Sequence, residues 1–493
     1  MEARDIRGED YYVISVIGDG ALTGGMAFEA LNNASNLKTN FIIVLNDNQM
    51  SISQNVGGMS WYLDEIRTAD AYTNLKKSLE KAIRKIPSGG DQIMNHLRKT
   101  KSSIKQLFVP GMFFEDMGIT YLGPVDGHNI KELVRAFHEA KKVQGPVLLH
   151  VLTKREKDIF LLRRSRPGST VRSPLISAQE NLLKKKEKDT YTDVFAKVMY
   201  EMGAKEPSLV ALTAAMEDGT GLAPFHRKYK ERFFDVGIAE GHAVTFAAGL
   251  AAGGLKPVFA VYSSFLQRGF DQIIHDVALQ NLPVVFAVDR GGLVGSDGET
   301  HQGIFDLSYL SMIPNMTVMS PKNKWEFADM IRFAIGFTKG PVAIRYPRGT
   351  AYDGYREFRP AIEYGKSEAV FEEEDIALIS VGHMFETAAK VREKLKEAGL
   401  NASLINARFV KPLDEERIAK LAEDHRLLVT IEENVESGGF GERVLEFANR
   451  MALDVRILNI TLPDDYIEHG SVDMLRKEVM LDEESILKKV LTV

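Results

Sequence analysis

Two short polar motifs, each closing an apolar run, constrain this chain more than any other feature. Gly18-Asp19-Gly20-Ala21 follows Tyr11-Tyr12-Val13-Ile14-Ser15-Val16-Ile17, and Asn46-Asp47-Asn48 follows Phe41-Ile42-Ile43-Val44-Leu45. Apolar runs of this kind read as strands buried on both faces, hence parallel. The stretch between the motifs, with Leu22, Met26, Ala30 and Leu31, is long enough for one crossover helix. Both polar ends then lie at the carboxyl edge of one sheet, where open α/β folds bind ligands. Asp19 and Asn48 offer hard oxygen ligands, and Gly18 and Gly20 let the backbone approach a diphosphate. This set suits Mg²⁺ holding a diphosphate, because Mg²⁺ takes few protein oxygens and shares the rest with phosphate and water. A strand-end turn followed by an Asn/Asp turn is the alternative reading.

The spacing also resembles the GDG…N motif of thiamine-diphosphate enzymes. The length, 493 residues, fits three domains, and 44% apolar residues are enough for real cores. A net charge of −6 provides no basic field for nucleic acid or anionic membrane, so an anionic ligand needs local arginines. Without cysteine, disulfides, thiolate chemistry and cysteine metal sites are excluded. The chain opens Met1-Glu2-Ala3-Arg4 with no apolar signal core behind it, and no apolar stretch is long enough to span a bilayer. The expectation is a soluble cytoplasmic protein, with neither nucleic acid nor membrane as partner.

Residues 1–154 read as α/β, with strands near 11–17, 41–45 and 146–152 and a helix-prone stretch around 74–106. A domain opening directly on a buried strand lacks a preceding partner. Residues 155–189 break the pattern with Arg155-Glu156-Lys157, Arg163-Arg164-Ser165-Arg166 and Lys184-Lys185-Lys186. They read as a solvated linker, with a phosphate-binding basic patch as the sharper alternative. Residues 190–355 form a second α/β unit, opened by an amphipathic helix carrying Val194, Phe195, Val198 and Met199. Its strands fall at 209–212, 233–236, 257–261 and 283–288. Residues 365–493 form a third, with strands at 376–380, 427–431 and 455–460 and helices near 385–398 and 413–423. Alternating strands and helices predict parallel sheets throughout: three consecutive α/β domains, suggesting an ancient duplication.

The second unit carries Asp235-Val236-Gly237-Ile238-Ala239-Glu240-Gly241-His242. A strand ends, a glycine turns, and Glu240 opens a small-residue helix through Ala243, Ala247, Ala248 and Ala251. A carboxylate at a helix N-terminus is favoured in its ionised form, although acidic residues are common in first helical turns anyway. Further motifs are Tyr262-Ser263-Ser264-Phe265-Leu266-Gln267-Arg268, Asp289-Arg290-Gly291-Gly292-Leu293-Val294-Gly295-Ser296-Asp297-Gly298, Thr300-His301-Gln302-Gly303 and Arg345-Tyr346-Pro347-Arg348-Gly349. Each is expected to follow an apolar strand. Each has a plain alternative: Phe265 as core, Arg345 as a surface ion pair, His301 as a satisfied turn histidine. Their joint occurrence is what is improbable.

These motifs, with Tyr121-Leu122-Gly123-Pro124-Val125-Asp126-Gly127-His128, resemble the 1-deoxy-D-xylulose-5-phosphate synthase family, from residue 1 to 154 and again from about 185 onward. The resemblance implies a transketolase-like fold: a diphosphate-binding domain, a pyrimidine-binding domain and a transketolase C-terminal domain. It implies a homodimer that uses thiamine diphosphate and Mg²⁺ to join pyruvate to D-glyceraldehyde 3-phosphate, releasing CO₂. The product, 1-deoxy-D-xylulose 5-phosphate, feeds isoprenoid, thiamine and pyridoxal synthesis. By position, Asp19, Asn48 and the backbone of Met50 would hold Mg²⁺, while Gly20, Ala21 and Asn48 contact the cofactor. Phe265 would pack on the aminopyrimidine and Glu240 would hydrogen-bond its N1′. Tyr262, Arg290 and Arg348 match phosphate-binding positions, since guanidinium donates two parallel hydrogen bonds to phosphate. Asp297, His301 and Arg268 would orient the acceptor and the pyruvate carboxylate. A transketolase-like ketol transferase and a non-catalytic dimerising remnant are the rival readings.

Three departures accompany the resemblance. Chains of that family begin further upstream, with histidines and a Gly-His-Ser/Thr stretch, so an N-terminal truncation exposing apolar surface and a raw sheet edge is expected. Residue 241 is Gly where the family has Gln, which weakens a helix start by up to ~1 kcal/mol. Residues 155–183 lack the family's Gly-Lys-Gly-Tyr turn and Phe-His-Gly. Joining the last base of each codon to the first two of the next, with permitted synonymous codons, lets Arg155 to Arg172 spell GKGYFPAEEKPARFHGP and Ala178 to Leu183 spell TGKPL. This stretch therefore reads as out-of-frame sequence. It is expected to be irregular and exposed, and a chain carrying it to bind cofactor weakly and turn over little.

Overall fold

The computed structural model describes residues 1–50, 56–68, 112–154 and 188–493. The helix-prone stretch around 74–106 and the out-of-frame reading of 155–183 lie outside these residues. The described chain falls into two compact units, residues 1–154 and 237–239 in the first, residues 188–236 and 240–493 in the second.

In the first unit β1 (Ile14–Gly18), β2 (Phe41–Asp47), β3 (Thr120–Asp126) and β4 (Pro146–Leu152) form a four-stranded sheet in the order β1-β2-β4-β3. All three pairings are parallel. Side chains alternate between faces, as strand geometry requires. Ile43, Leu45 and Leu148 join Leu22, Leu31, Leu63 and Phe114 on one side. Ile42, Val44, Val147, Leu149 and Val151 join Ala140 on the other. The β1–β2 crossover is the Gly25–Ala34 helix, which buries Leu31 and leaves Met26 exposed. β1 departs from the expectation of burial on both faces. Among the described residues it is an edge strand paired with β2 alone, and Ile14 and Val16 are 46% and 70% exposed.

The second unit holds two sheets. The strands β5 (Leu209–Thr213), β6 (Phe233–Asp235), β7 (Lys256–Tyr262), β8 (Val285–Asp289), β9 (Thr317–Met319) and β10 (Val342–Arg345) come first. Then follow β11 (Glu368–Phe371), β12 (Ile376–Ser380), β13 (Ala402–Asn406), β14 (Phe409–Lys411), β15 (Leu427–Val435) and β16 (Arg456–Leu462). One sheet runs β14-β9-β10-β8-β7-β5-β6 and the other β11-β13-β12-β15-β16. Two pairings are antiparallel, β14 with β9 and β11 with β13, so the sheets are mainly rather than wholly parallel. Strand β14 is three residues long and lies within 365–493, yet it extends the sheet built from 190–355. So short a strand carries no legible period.

Helix Tyr191–Lys205 starts with a full capping box between Thr190 and Asp193 and buries Phe195, Val198 and Met199. Helix Glu240–Ala252 buries Ala243, Ala247, Ala248 and Ala251; these small residues let it lie close against β7, with Val261 and Phe259 in the same core.

Candidate active site

At the carboxyl edge of the first sheet, Gly18 pairs in register with Asn46, which makes the two opening motifs neighbours. The Asp19 amide donates to the Asn46 carbonyl at 3.2 Å. Gln49, in the turn after β2, adopts a left-handed backbone, φ +64°, unusual for a residue with a side chain. Its amide donates to Asp19 Oδ2 at 2.8 Å and to Asp47 Oδ1 at 3.3 Å. The Met50 amide donates to Asn48 Oδ1 at 3.0 Å. Asp19, Asn48 and Met50 thus gather around one turn. Gly20 is buried at the start of the short Ala21–Thr23 turn, and Ala21 is exposed.

Asp19 and Asp47 are both buried and interact directly. Burial, reinforced by the Asp47 carboxylate, raises Asp19 above the usual carboxylate range. Adjacent buried carboxylates are an arrangement that a divalent cation relieves, so these residues fit Mg²⁺. Among the described residues no group of three or more His, Cys, Asp or Glu could hold a metal. A cation here would draw on Asn48, backbone and phosphate oxygens.

One residue that the sequence reading passed over completes this edge. His150, buried within β4, hydrogen-bonds Tyr121 Oη through Nδ1 at 2.7 Å and Asp47 Oδ2 through Nε2 at 2.8 Å. It is the single polar side chain in Pro146-Val147-Leu148-Leu149-His150-Val151-Leu152, and a buried polar group needs a partner; that was the available signal. The Tyr121–His128 motif is β3 and its exit. A Cβ on Gly123 would stand 2.6 Å from the His150 carbonyl oxygen, so glycine there allows β3 to approach β4.

In the second unit, Tyr262 ends β7 in register with Asp289 at the end of β8. The Arg290 guanidinium stacks 3.8 Å from the Tyr262 ring centre. Asp297 Oδ2 accepts from Arg348 Nη1 at 2.6 Å and from Arg290 Nη1 at 3.3 Å. Both arginines therefore converge on one oxygen beside Tyr262. Arg290 has φ +63°, a backbone strain of the kind that clusters at functional sites. Phe265 is half-buried between Tyr262 and His301, with ring centres 5.4 and 5.3 Å away. His301 Nδ1 hydrogen-bonds Thr300 Oγ1 at 2.9 Å. Its motif follows no strand; it lies in the loop between β8 and helix Asp306–Ser311.

Glu240 begins its helix as expected, but its proton affinity does not follow the helix dipole. Only 3% exposed, it is pushed above the usual carboxylate range by burial, which outweighs its own backbone hydrogen bond and Arg268. Arg268 Nη1 donates to Glu240 Oε2 at 2.7 Å, so the partner of Arg268 in this structure is Glu240. A Cβ on Gly241 would come 3.1 Å from Gln272 Oε1, so Gln272 occupies the room that glycine leaves. Arg345 is no surface residue: it is fully buried and ion-paired with Asp306.

Consecutive α/β sheets with these constellations at their strand ends make this a transketolase-type protein. Family models match in three stretches: 1-deoxy-D-xylulose-5-phosphate synthase at residues 1–153, transketolase pyrimidine-binding domain at 187–352, and transketolase C-terminal domain at 365–486. The chain is 53% identical over 491 residues to 1-deoxy-D-xylulose-5-phosphate synthase of Lachnoclostridium phytofermentans, covering 99% of this chain and 78% of that one. It is 48% identical to the enzyme of the same name from Caldanaerobacter subterraneus, with 99% and 78% covered. The chain belongs to the 1-deoxy-D-xylulose-5-phosphate synthase family.

Among solved structures, a split-gene transketolase described as an inactive β4 tetramer aligns with TM-score 0.57 and 25% identity over 62% of this chain and 97% of its own. Campylobacter jejuni transketolase, 15% identical, shares the fold over 98% of this chain and 78% of its own, with TM-score 0.52.

Proposed function

We propose that this chain condenses pyruvate with D-glyceraldehyde 3-phosphate, in a thiamine-diphosphate-dependent reaction, to 1-deoxy-D-xylulose 5-phosphate and CO₂. The product would enter isoprenoid, thiamine and pyridoxal synthesis. The observation that carries this reading is the meeting of Arg290 and Arg348 at Asp297 beside Tyr262: two guanidiniums aimed at one oxyanion position at a sheet's carboxyl edge. Near-50% identity to the named synthases over almost all of the chain supports it further.

Asp19, Asn48 and the Met50 carbonyl would hold Mg²⁺, with Gly20, Ala21 and Asn48 against the diphosphate. The buried carboxylate pair supports this assignment. Thiamine diphosphate, when bound, supplies the electron sink for decarboxylation. Glu240 would hydrogen-bond N1′ of the aminopyrimidine. Its raised proton affinity suits a group that must hold and release a proton, a role that typically contributes ~10²–10⁴-fold. Phe265 offers a half-exposed aromatic face for the same ring. Tyr262, Arg290 and Arg348 would bind the aldehyde's phosphate, and Asp297, His301 and Arg268 would orient the acceptor hydroxyls and the pyruvate carboxylate.

We further propose a homodimer in the cytoplasm; the exposed Tyr11, Tyr12, Ile14 and Val16 offer apolar surface for association. Sedimentation at micromolar concentration tests the dimer. No helix among the described residues is long and apolar enough to cross a membrane. Domain limits of 1–154, 190–355 and 365–493, with 155–189 between, are proposed with the function. The deciding experiment supplies thiamine diphosphate, Mg²⁺, pyruvate and D-glyceraldehyde 3-phosphate and measures 1-deoxy-D-xylulose 5-phosphate and CO₂. Consumption of a ketose phosphate donor in place of pyruvate would favour the ketol transferase. No cofactor binding by calorimetry would favour the non-catalytic remnant.

A further inference from the structure

The first unit contains a buried chain of polar groups that the proposed roles leave unused. His150 is fully buried, as are its neighbours in β4. Its two ring nitrogens are both engaged, Nδ1 with Tyr121 Oη at 2.7 Å and Nε2 with Asp47 Oδ2 at 2.8 Å. A neutral imidazole has one acceptor and one donor nitrogen. Burial holds the Tyr121 phenol protonated, well above its ordinary range, so the phenol donates to Nδ1 and Nε2–H donates to the carboxylate. The other Asp47 oxygen, Oδ1, accepts from the Gln49 amide, which also donates to Asp19. The chain Tyr121–His150–Asp47 therefore ends on the left-handed residue between Asn48 and Met50. The two links of His150 are short, the last one to Gln49 is longer at 3.3 Å, and the inner members are closed to solvent.

We propose that His150 is a positioning residue for the divalent cation: clamped by Tyr121, it orients Asp47, which with Asp19 locks the Gln49 amide and so the Asn48–Met50 turn. This rests on the reading above that Asp19, Asn48 and Met50 hold Mg²⁺. A histidine that orients a carboxylate beside a metal tunes affinity without touching the ion. A purely structural role would cost stability when His150 is removed, because Tyr121 and Asp47 lose their buried partner, and would leave metal affinity unchanged.

The test measures Mn²⁺ affinity by paramagnetic resonance on the full chain with thiamine diphosphate present, alongside melting of the metal-free protein. His150→Leu should weaken Mn²⁺ binding by about 10–100-fold, Tyr121→Phe by less, and His150→Gln, which keeps a donor and an acceptor, least. Leu149→Val, which faces the opposite side of the sheet, should lower the melting temperature and leave Mn²⁺ affinity unchanged. If His150→Leu does not fold, Tyr121→Phe against Leu149→Val decides. Wild-type Mn²⁺ affinity in Tyr121→Phe and His150→Leu, with Asp19→Ala still losing the ion, overturns the positioning role alone. Wild-type affinity in Asp19→Ala overturns the metal-site reading, and the role of His150 falls with it.

Discussion

Arg345 and Asp306 meet in the interior of the second unit, Nε 3.2 Å from Oδ2, both fully buried. Asp306 Oδ2 also accepts from Ser263 Oγ at 2.9 Å. Arg345 Nη2 donates to the carbonyls of Gly303 and Glu433, at 3.3 and 2.8 Å. The pair thus ties the end of β10 to the loop before Asp306 and to β15 through Arg345, and to the turn after β7 through Asp306. Gly291 permits this packing: a Cβ there would stand 2.2 Å from Arg345 Nε. The pair packs against the turn that follows Tyr262 and the loop that carries Arg290 and His301.

Deleting one partner of such a pair leaves a buried charge unsatisfied, which costs about 3–5 kcal/mol. Arg345→Met should therefore lower the denaturant midpoint strongly, and adding Asp306→Asn should recover much of the loss. A single variant within about 0.5 kcal/mol of wild type, the range of ordinary surface changes, would mean that the pair is dispensable.

Asp289, next to Arg290, gives a pH signature. Complete burial pushes its carboxyl up to about 7, against the pull of Arg290 and Arg348. The folded state therefore holds this proton more tightly than the unfolded chain, whose value is near 3.8. Linkage then makes the contribution of Asp289 most favourable below about pH 4, and it is lost as pH rises through about 7. Asp289→Asn abolishes that loss. Melting curves of the two proteins should diverge between pH 4 and 7, with the variant gaining, and run parallel above. Parallel curves across the whole range would show that Asp289 titrates normally.

The strand-end motifs were legible because parallel α/β sheets collect polar residues at carboxyl edges. Asp19, Asn48 and Tyr262 could be placed by asking which polar residue ends an apolar run, and Glu240 by the small-residue helix it opens. Partners from distant segments could not. Arg345 reads as a surface charge until Asp306 and the Glu433 carbonyl surround it. Asp47 sits inside a motif that was read, yet its importance comes from His150, 103 residues away. The ionisation of Glu240 was misjudged because helix position is local and visible in sequence, whereas burial is tertiary and outweighs it. Strand β14 was missed because three residues carry no periodicity, and its antiparallel pairing with β9 departs from the parallel rule.

Arg348 should discriminate between the two substrates. Its guanidinium shares Asp297 Oδ2 with Arg290 and is partly exposed, so an anion arriving from solvent can reach it. Arg348→Ala should raise KM for D-glyceraldehyde 3-phosphate more than KM for pyruvate, because only the first carries a phosphate. An equal rise for both would argue against phosphate binding and for general disorder of the loop.

Glu240 should separate cofactor binding from turnover. Its carboxylate is buried, holds its proton more tightly than usual, and contacts Arg268. Glu240→Gln preserves size and an oxygen acceptor for Arg268 and removes the ability to exchange a proton. If Glu240 moves a proton on the aminopyrimidine, the variant should bind thiamine diphosphate within a few-fold of wild type while its rate falls by ~10²–10⁴. Glu240→Ala should lose turnover and leave Arg268 without its carboxylate. Calorimetry with thiamine diphosphate and Mg²⁺, paired with product formation, reads both quantities on one sample. A Glu240→Gln rate above a tenth of wild type would contradict the proton role. Lost cofactor binding together with lost rate would instead assign Glu240 to holding the ring, because the missing turnover would then follow from an empty site.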